Sequence, residues 1–181
     1  MHNKPKTYYF INNFDINEIK KLNKNISLIY RNYKDNLDLN MIKNIKDLCI
    51  KQRRKFYISN NFKVARNLKL DGVYIPSFNK LPNFKNFNLP KNFKIIGSAH
   101  SIVEVINKNK QNCVEIFIAP IFQTEKSKSF LGISKFNLIS NATKIKAIAL
   151  GGINSTNFNK LKAVNCYGFA AIRWIKKNRP K

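Results

Sequence analysis

The chain is poor in several things that specialised proteins need. Only 9 of its 181 residues are acidic, against 34 lysines and arginines, and it carries 3 cysteines, 2 histidines, 1 tryptophan and 6 glycines. Cys49, Cys113 and Cys166 are odd in number and far apart, with no Cys-x-x-Cys spacing. That excludes a disulfide framework and a paired-cysteine redox or metal motif, and leaves all of them as expected core residues. So few histidines, with scattered carboxylates, also make a structural zinc site hard to assemble. Long apolar runs are missing: none approaches the roughly 18 residues of a membrane span. The amino-terminal stretch reaches Tyr8, Phe10 and Ile11 and breaks at Asn12, so no secretory segment is read. The expectation is a cytoplasmic protein with no membrane partner.

Present in excess is positive charge, a net +25. Such a surface attracts polyanions. The lysines, however, are spread from Lys4 to Lys181 among abundant Asn, Ile, Phe and Tyr, a pattern that A/T-rich codons produce. With no compact basic block and no nucleic-acid module signature, specific nucleic-acid binding is not expected. A chain 44% hydrophobic and 24% charged is globular in type, and its length suits one domain over residues 1–181.

Short apolar runs alternate with segments of helical period. Strands are predicted at residues 7–11, 26–30, 56–58, 72–75, 93–97, 114–122, 145–150 and 169–175. Between them, Ile16, Ile19 and Leu22 share one helix face behind an Asp15/Glu18 capping box. Leu39, Ile42, Ile45 and Leu48 mark a second helix, and residues 62–70 a third. Ser101 and Glu104 form another capping box for residues 102–109. A helix is placed near residues 134–140, and Asn154 or Ser155 is expected to cap one running through Phe158, Leu161 and Val164. Residues 76–92 read as irregular. About eight strands with helical crossovers call for parallel pairing, and a compact (β/α)8 TIM barrel is the natural solution. The chain is short for that fold and stops soon after the eighth strand, so the final outer helix is expected to be missing. An open doubly wound sheet is the structural alternative.

In a barrel, chemistry collects where strands end. The fifth ends in Gly97-Ser98-Ala99-His100-Ser101, setting an imidazole suited to proton transfer beside a helix start; packing or loop capping is the alternative role. The sixth ends in Ala119-Pro120-Ile121-Phe122-Gln123-Thr124, followed by a polar loop with Lys126 and Lys128 that either folds over an anion or is simply solvated. The seventh ends in Gly151-Gly152, where backbone N–H groups can approach a phosphate or merely form a turn. The eighth carries Gly168-Phe169-Ala170-Ala171.

Taken in order, these segments resemble the thiamine phosphate synthase/TenI family. Pro120-Ile121-Phe122-x-Thr124 with Leu131-Gly132 is similar to that family's Pro-x-Phe-x-Thr segment. Asp71-Gly72-Val73-Tyr74-Ile75 looks like its Asp-Gly-Val-His-Leu strand, Ser98-Ala99-His100-Ser101 like its Ser-x-His-Ser turn, and Gly151-Gly152-Ile153 like its phosphate loop. The resemblance implies a thiazole phosphate as small-molecule partner, held by Gly151, Gly152, Ala170, Ala171 and Thr124, with Arg31, Ser98 and Lys128 as further substrate contacts.

On the other half-site the chain departs from the synthase pattern. Arg31 is kept from a Gln-x-Arg-x-Lys motif whose glutamine and lysine are lost, unless Lys34 substitutes, and Asn60 and Asn79 stand where the synthases have aspartates. Mg²⁺ favours carboxylates, which neutral amides do not replace. The leading expectation is therefore a TenI-like thiazole tautomerase with His100 as acid/base and no cofactor. The alternative is a divergent, Mg²⁺-dependent thiamine phosphate synthase joining the thiazole to hydroxymethylpyrimidine diphosphate. Two non-catalytic readings stand beside these: a degenerate member that binds thiazole phosphate without turnover, and a phosphate-ligand or nucleic-acid binding protein.

Overall fold

A computed structural model describes residues 5–33, 37–81, 89–125, 127–171 and 174–175. Eight parallel strands close into a barrel in sequence order: β1 (Lys6–Ile11), β2 (Ile26–Tyr30), β3 (Phe56–Ser59), β4 (Gly72–Ile75), β5 (Lys94–Ala99), β6 (Glu115–Ile118), β7 (Lys146–Leu150) and β8 (Gly168–Ala170). The outer elements are α1 (Ile16–Lys20), α2 (Leu39–Lys51), α3 (Phe62–Asn67), α4 (Ile102–Lys110), α5 (Gly132–Asn141) and a 3-10 helix at Phe158–Ala163. This is the expected (β/α)8 architecture, and its closure excludes the open sheet. β8 seals the barrel on β1 with Lys6 opposite Gly168 and Tyr8 opposite Ala170. The seam needs its glycine, because a Cβ at Gly168 would stand 2.0 Å from the Lys6 carbonyl oxygen.

The strands read as continuous apolar runs because both of their faces are buried. Alternation sorts them. Tyr8, Phe10, Ile29, Tyr57, Tyr74, Ile96, Phe117, Ile148 and Ala170 fill the inside. Their neighbours Tyr9, Ile11, Leu28, Phe56, Ile58, Val73, Ile116 and Ala149 pack outward under the helices. The interior is aromatic, with Phe117 meeting Tyr8 edge-on at 5.0 Å between ring centres and Phe10 at 5.4 Å. No helix among the described residues is long and apolar enough to cross a membrane.

Helix starts follow the sequence. Asp15 accepts from the Glu18 N–H at 2.9 Å and Ser101 Oγ from the Glu104 N–H at 3.3 Å. Neither box closes reciprocally: Glu104 accepts from the His100 N–H at 2.6 Å, and Glu18 from the Tyr9 hydroxyl. Other boundaries differ from expectation. β6 stops at Ile118, before Ala119-Pro120, because proline offers no ladder N–H. β8 stops at Ala170, and Trp174 and Ile175 are helical, the Ile175 N–H bonding back to the Ala171 carbonyl at 3.2 Å, so these two residues are not strand. The question of a final outer helix lies beyond Ile175, outside the described residues.

The element expected behind Asn154 or Ser155 is a 3-10 helix after Asn157, and Asn154 instead folds its own turn by accepting from Thr156 and Asn157. Residues 76–81 and 89–92 contain no helix, and 82–88 lie outside the described residues. Cys49 and Cys113 are buried as expected, but Cys166 is only half-buried, at the core's edge.

At the opposite end of the barrel from the strand termini that matter for function, Glu115 is buried as a charge. It accepts from Lys6 Nζ at 2.6 Å, from Lys94 Nζ at 3.2 Å, and from the Tyr8 hydroxyl. Burial alone would raise its carboxyl, but these hydrogen bonds and the two ammonium charges outweigh that and lower it. Burial lowers Lys6 as well, its contacts with Glu115 raising it only in part. A carboxyl held below its unfolded value stabilises the fold above that value, and the contribution disappears as pH falls through the folded one. Replacing Glu115 with Leu is expected to cost about 2–3 kcal/mol at neutral pH, less than the ~3–5 of a fully enclosed pair because Lys6 and Lys94 can reach water. It should also flatten the acid limb of stability, both read from urea melts between pH 7 and pH 3.

Candidate functional site

The carboxyl ends of β5 to β8 lie side by side, so the four segments that follow them share one half of the barrel mouth. His100 follows β5. Its Nδ1 lies 2.7 Å from the Ala119 carbonyl oxygen at the end of β6. A carbonyl only accepts, so in the neutral ring Nδ1 carries the proton and Nε2 presents a lone pair. The backbone is fixed as well, by Glu104. His100 is therefore oriented by two adjacent elements and is exposed at the mouth, not packed as a core residue. Ser98, one inward step below, is buried and accepts from the Tyr74 hydroxyl at 2.9 Å.

The loops after β6 and β7 are joined. Ile121 N–H donates to the Leu150 carbonyl at 2.9 Å and Phe122 N–H to the Gly151 carbonyl at 3.1 Å. Gly151 and Gly152 have φ of 97° and 71°, the left-handed region that favours glycine. There is also no room for side chains: a Cβ on Gly151 would lie 2.7 Å from Pro120 Cβ, and one on Gly152 2.4 Å from the Gln123 carbonyl oxygen. Asn157 Nδ2 holds the Gly152 carbonyl at 2.8 Å, and Asn157 Oδ1 accepts from the Asn154 N–H at 2.9 Å. Ala170, fully buried inside the barrel, and Ala171 complete the wall from β8.

Thr124 stands beside this wall, but its hydroxyl accepts from the Ser127 N–H at 3.1 Å and so closes its own loop. Lys128 is exposed, and Lys126 lies outside the described residues.

Across the mouth, β2 to β4 build a different surface. Arg31 Nε donates to Asn12 Oδ1 at 3.3 Å, and its guanidinium sits 5.6 Å from the centre of the Phe10 ring. Lys34 lies outside the described residues. Asn60, at φ 58°, and Asn79 meet directly: Asn79 Nδ2 donates to Asn60 Oδ1. Together with Phe78, Lys80 and Leu81 they line an open cavity of about 440 Å³. Ser59 Oγ, inward and 2% exposed, lacks a well-formed hydrogen bond among the described residues; the Tyr33 hydroxyl interacts with it without completing one.

The sequence profile described as thiamine monophosphate synthase matches residues 20–175. The chain belongs to the thiamine monophosphate synthase family. A thiamine-phosphate synthase of Prochlorococcus marinus is 32% identical over 160 residues, covering 85% of this chain and 46% of that protein. One from Clostridium acetobutylicum is 31% identical over 121 residues, covering 65% and 57%. The chain thus spans about half the length of these curated relatives. Thiamine phosphate pyrophosphorylase from Pyrococcus furiosus has the same fold, with TM-score 0.70, 18% identity, and coverage of 97% of this chain and 92% of that one.

Arg31, Asn60 and Asn79 thus gather on one side of a mouth of this family's barrel, and Ser98, His100, Thr124, Gly151, Gly152, Ala170 and Ala171 on the other. Sequence reasoning missed Asn157, Asn12 and Tyr74, which hold these groups. The Asn154-x-x-Asn157 spacing, typical of side chains that bond nearby backbone, was the available signal for Asn157.

Gly132 also has a positive φ, 68°, but its Cβ space is open. Gly132→Ala should therefore cost only the left-handed backbone, about 1–2 kcal/mol. Gly152→Ala, which adds a clash with the Phe122 and Gln123 carbonyls, should cost about 1–3 kcal/mol more. Parallel urea denaturation of the two variants measures the difference.

Proposed function

We propose that the protein is a thiamine-pathway enzyme that holds a thiazole phosphate on the β6–β8 side of the mouth and shifts a double bond in the thiazole carboxylate phosphate by acid/base chemistry, without a metal. The observation that carries this reading is the orientation of His100, whose Nε2 lone pair is set free at the mouth by the Nδ1 bond to Ala119. A tautomerisation takes a proton from one carbon of the substrate and returns one at another as the double bond shifts, and consumes nothing. A single imidazole can accept that proton and return it. Backbone donors at Gly151, Gly152, Ala170 and Ala171 would anchor the phosphate, as glycine-lined turns do. With its hydroxyl committed to Ser127, Thr124 serves first by shaping the loop.

The opposite side supports a reading without Mg²⁺. Among the described residues, Asn60 and Asn79 offer neutral amide oxygens, Asn60 Oδ1 already accepts from Asn79, and no group of three His, Cys, Asp or Glu side chains gathers. Mg²⁺ is held through carboxylates, so this donor set does not fit it. The synthase reading keeps two observations in its favour: the relatives from Prochlorococcus marinus and Clostridium acetobutylicum are named thiamine-phosphate synthases, and Arg31 is positioned at the mouth.

One assay series separates the two. Purified protein should isomerise the thiazole carboxylate phosphate at a rate unaffected by EDTA, and His100→Ala should lower kcat by about 10²–10⁴-fold, the usual worth of a positioned acid/base. With thiazole phosphate, hydroxymethylpyrimidine diphosphate and Mg²⁺, no thiamine phosphate should form. Robust thiamine phosphate formation would contradict the tautomerase reading, and undiminished turnover in the His100 variant would remove His100 from the mechanism.

A further inference from the structure

α4 carries a charge where a helix packed on a barrel should carry a hydrocarbon. Lys108 is 0% exposed, while Ile102, Val103 and Ile106 of the same helix face solvent. The buried ammonium has no carboxylate in contact among the described residues. Its Nζ donates to the Pro76 carbonyl at 2.7 Å, the Asn79 carbonyl at 2.8 Å and Gln111 Oε1 at 2.8 Å. Gln111, 1% exposed, uses its Nε2 on the same strand-to-strand connection, reaching the Asn79 carbonyl at 3.0 Å and the Leu81 carbonyl at 2.8 Å. Two side chains from one helix therefore occupy backbone carbonyls at Pro76, Asn79 and Leu81.

All three N–H groups of the ammonium are used, which matches its charged form. Burial pushes the lysine down to about 8, with only partial opposition from Cys113 and Glu104, so it is still mostly charged at neutral pH. A buried ammonium bound only to neutral oxygens is costly compared with an apolar residue at the same place. Its hydrogen bonds go to one loop, and that loop supplies Phe78, Asn79, Lys80 and Leu81 to the cavity beside Asn60.

We propose that Lys108 and Gln111 are positioning residues: a clamp from behind the barrel wall that holds residues 76–81 in place and so sets the Asn79 side chain against Asn60, fixing the shape and affinity of the cavity on the β3–β4 side of the mouth. The clamp sits at the last turn of α4, whereas Glu104 holds the His100 N–H from the first turn, so its effect is expected on ligands on the Asn60/Asn79 side. The planar Phe78 ring, the paired amides and Lys80 suit a small aromatic ring bearing an anionic group. That choice of ligand rests on the synthase alternative, whose hydroxymethylpyrimidine diphosphate serves as the probe; the clamp itself does not.

The test uses two variants that alter the buried charge in different ways, one removing it and one pairing it. Lys108→Met keeps the stem and removes the ammonium. Gln111→Glu keeps an acceptor for Lys108, now charged, but removes the N–H donors to Asn79 and Leu81. Hydrogen exchange should show the Asn79 and Leu81 amides, which bond to the Pro76 carbonyl and to Asn79 Oδ1, exchanging at least about tenfold faster in both variants. Amides of β6 and β7 should be unchanged in Gln111→Glu. In the same proteins, hydroxymethylpyrimidine diphosphate should bind about tenfold more weakly, roughly one lost hydrogen bond's worth, while thiazole phosphate binding stays within about twofold.

Unchanged exchange at residues 79 and 81 in Gln111→Glu overturns the proposal, as does equal weakening of both ligands. A wild-type chain that does not bind thiazole phosphate refutes the proposed function instead, and where the wild-type chain does not bind hydroxymethylpyrimidine diphosphate, exchange alone decides the clamp.

Discussion

Closure of the barrel between β8 and β1 is the constraint on which the rest of this structure depends. Lys6 lies against Gly168 so closely that a single methyl group on Gly168 would open the seam. With the seam shut, the eight strand ends form a ring in chain order. His100, Pro120, Gly151 and Ala171 then become neighbours although they span much of the second half of the chain, and Arg31, Asn60 and Asn79 face them. The edge-to-face packing of Tyr8, Phe10, Tyr74 and Phe117 fills the space beneath, and the Glu115 ion pairs finish the far end. Neither could form in an open sheet.

The two sides of the mouth have different physical characters. On the β5–β8 side, backbone geometry does the work: left-handed glycines, loops stitched by N–H to carbonyl bonds, and an imidazole held by a carbonyl. Such a surface recognises compact anions with little dependence on side-chain charge. On the β2–β4 side, side chains dominate, and the charges a diphosphate–metal complex needs are absent from Asn60 and Asn79.

Most of the barrel was legible because parallel strands buried on both faces leave long apolar runs, and Asp15, Ser101 and the Gly151-Gly152 pair mark boundaries by local rules. The errors have physical causes. Residues 171–175 are apolar enough to read as strand, but the Ile175 N–H turns back to Ala171. Val114 and Ile121-Phe122 flank β6 with the right composition, yet Pro120 ends the ladder. α4 misleads in another way: its exposed Ile102, Val103 and Ile106 and its buried Lys108 invert the usual pattern, so no periodicity argument could assign Lys108 a role. At the site, residue types were readable while partners were not. Thr124 offers a hydroxyl in the sequence, and only the fold shows it spent on Ser127.

The most direct test of the account is a crystal structure of the protein with thiazole phosphate bound. The phosphate is expected against the backbone N–H groups of Gly151 and Gly152, between the ends of β7 and β8, with the thiazole ring reaching toward His100 Nε2. A phosphate seated instead at Asn60, Asn79 and Lys80, or a ring out of reach of His100, would contradict it.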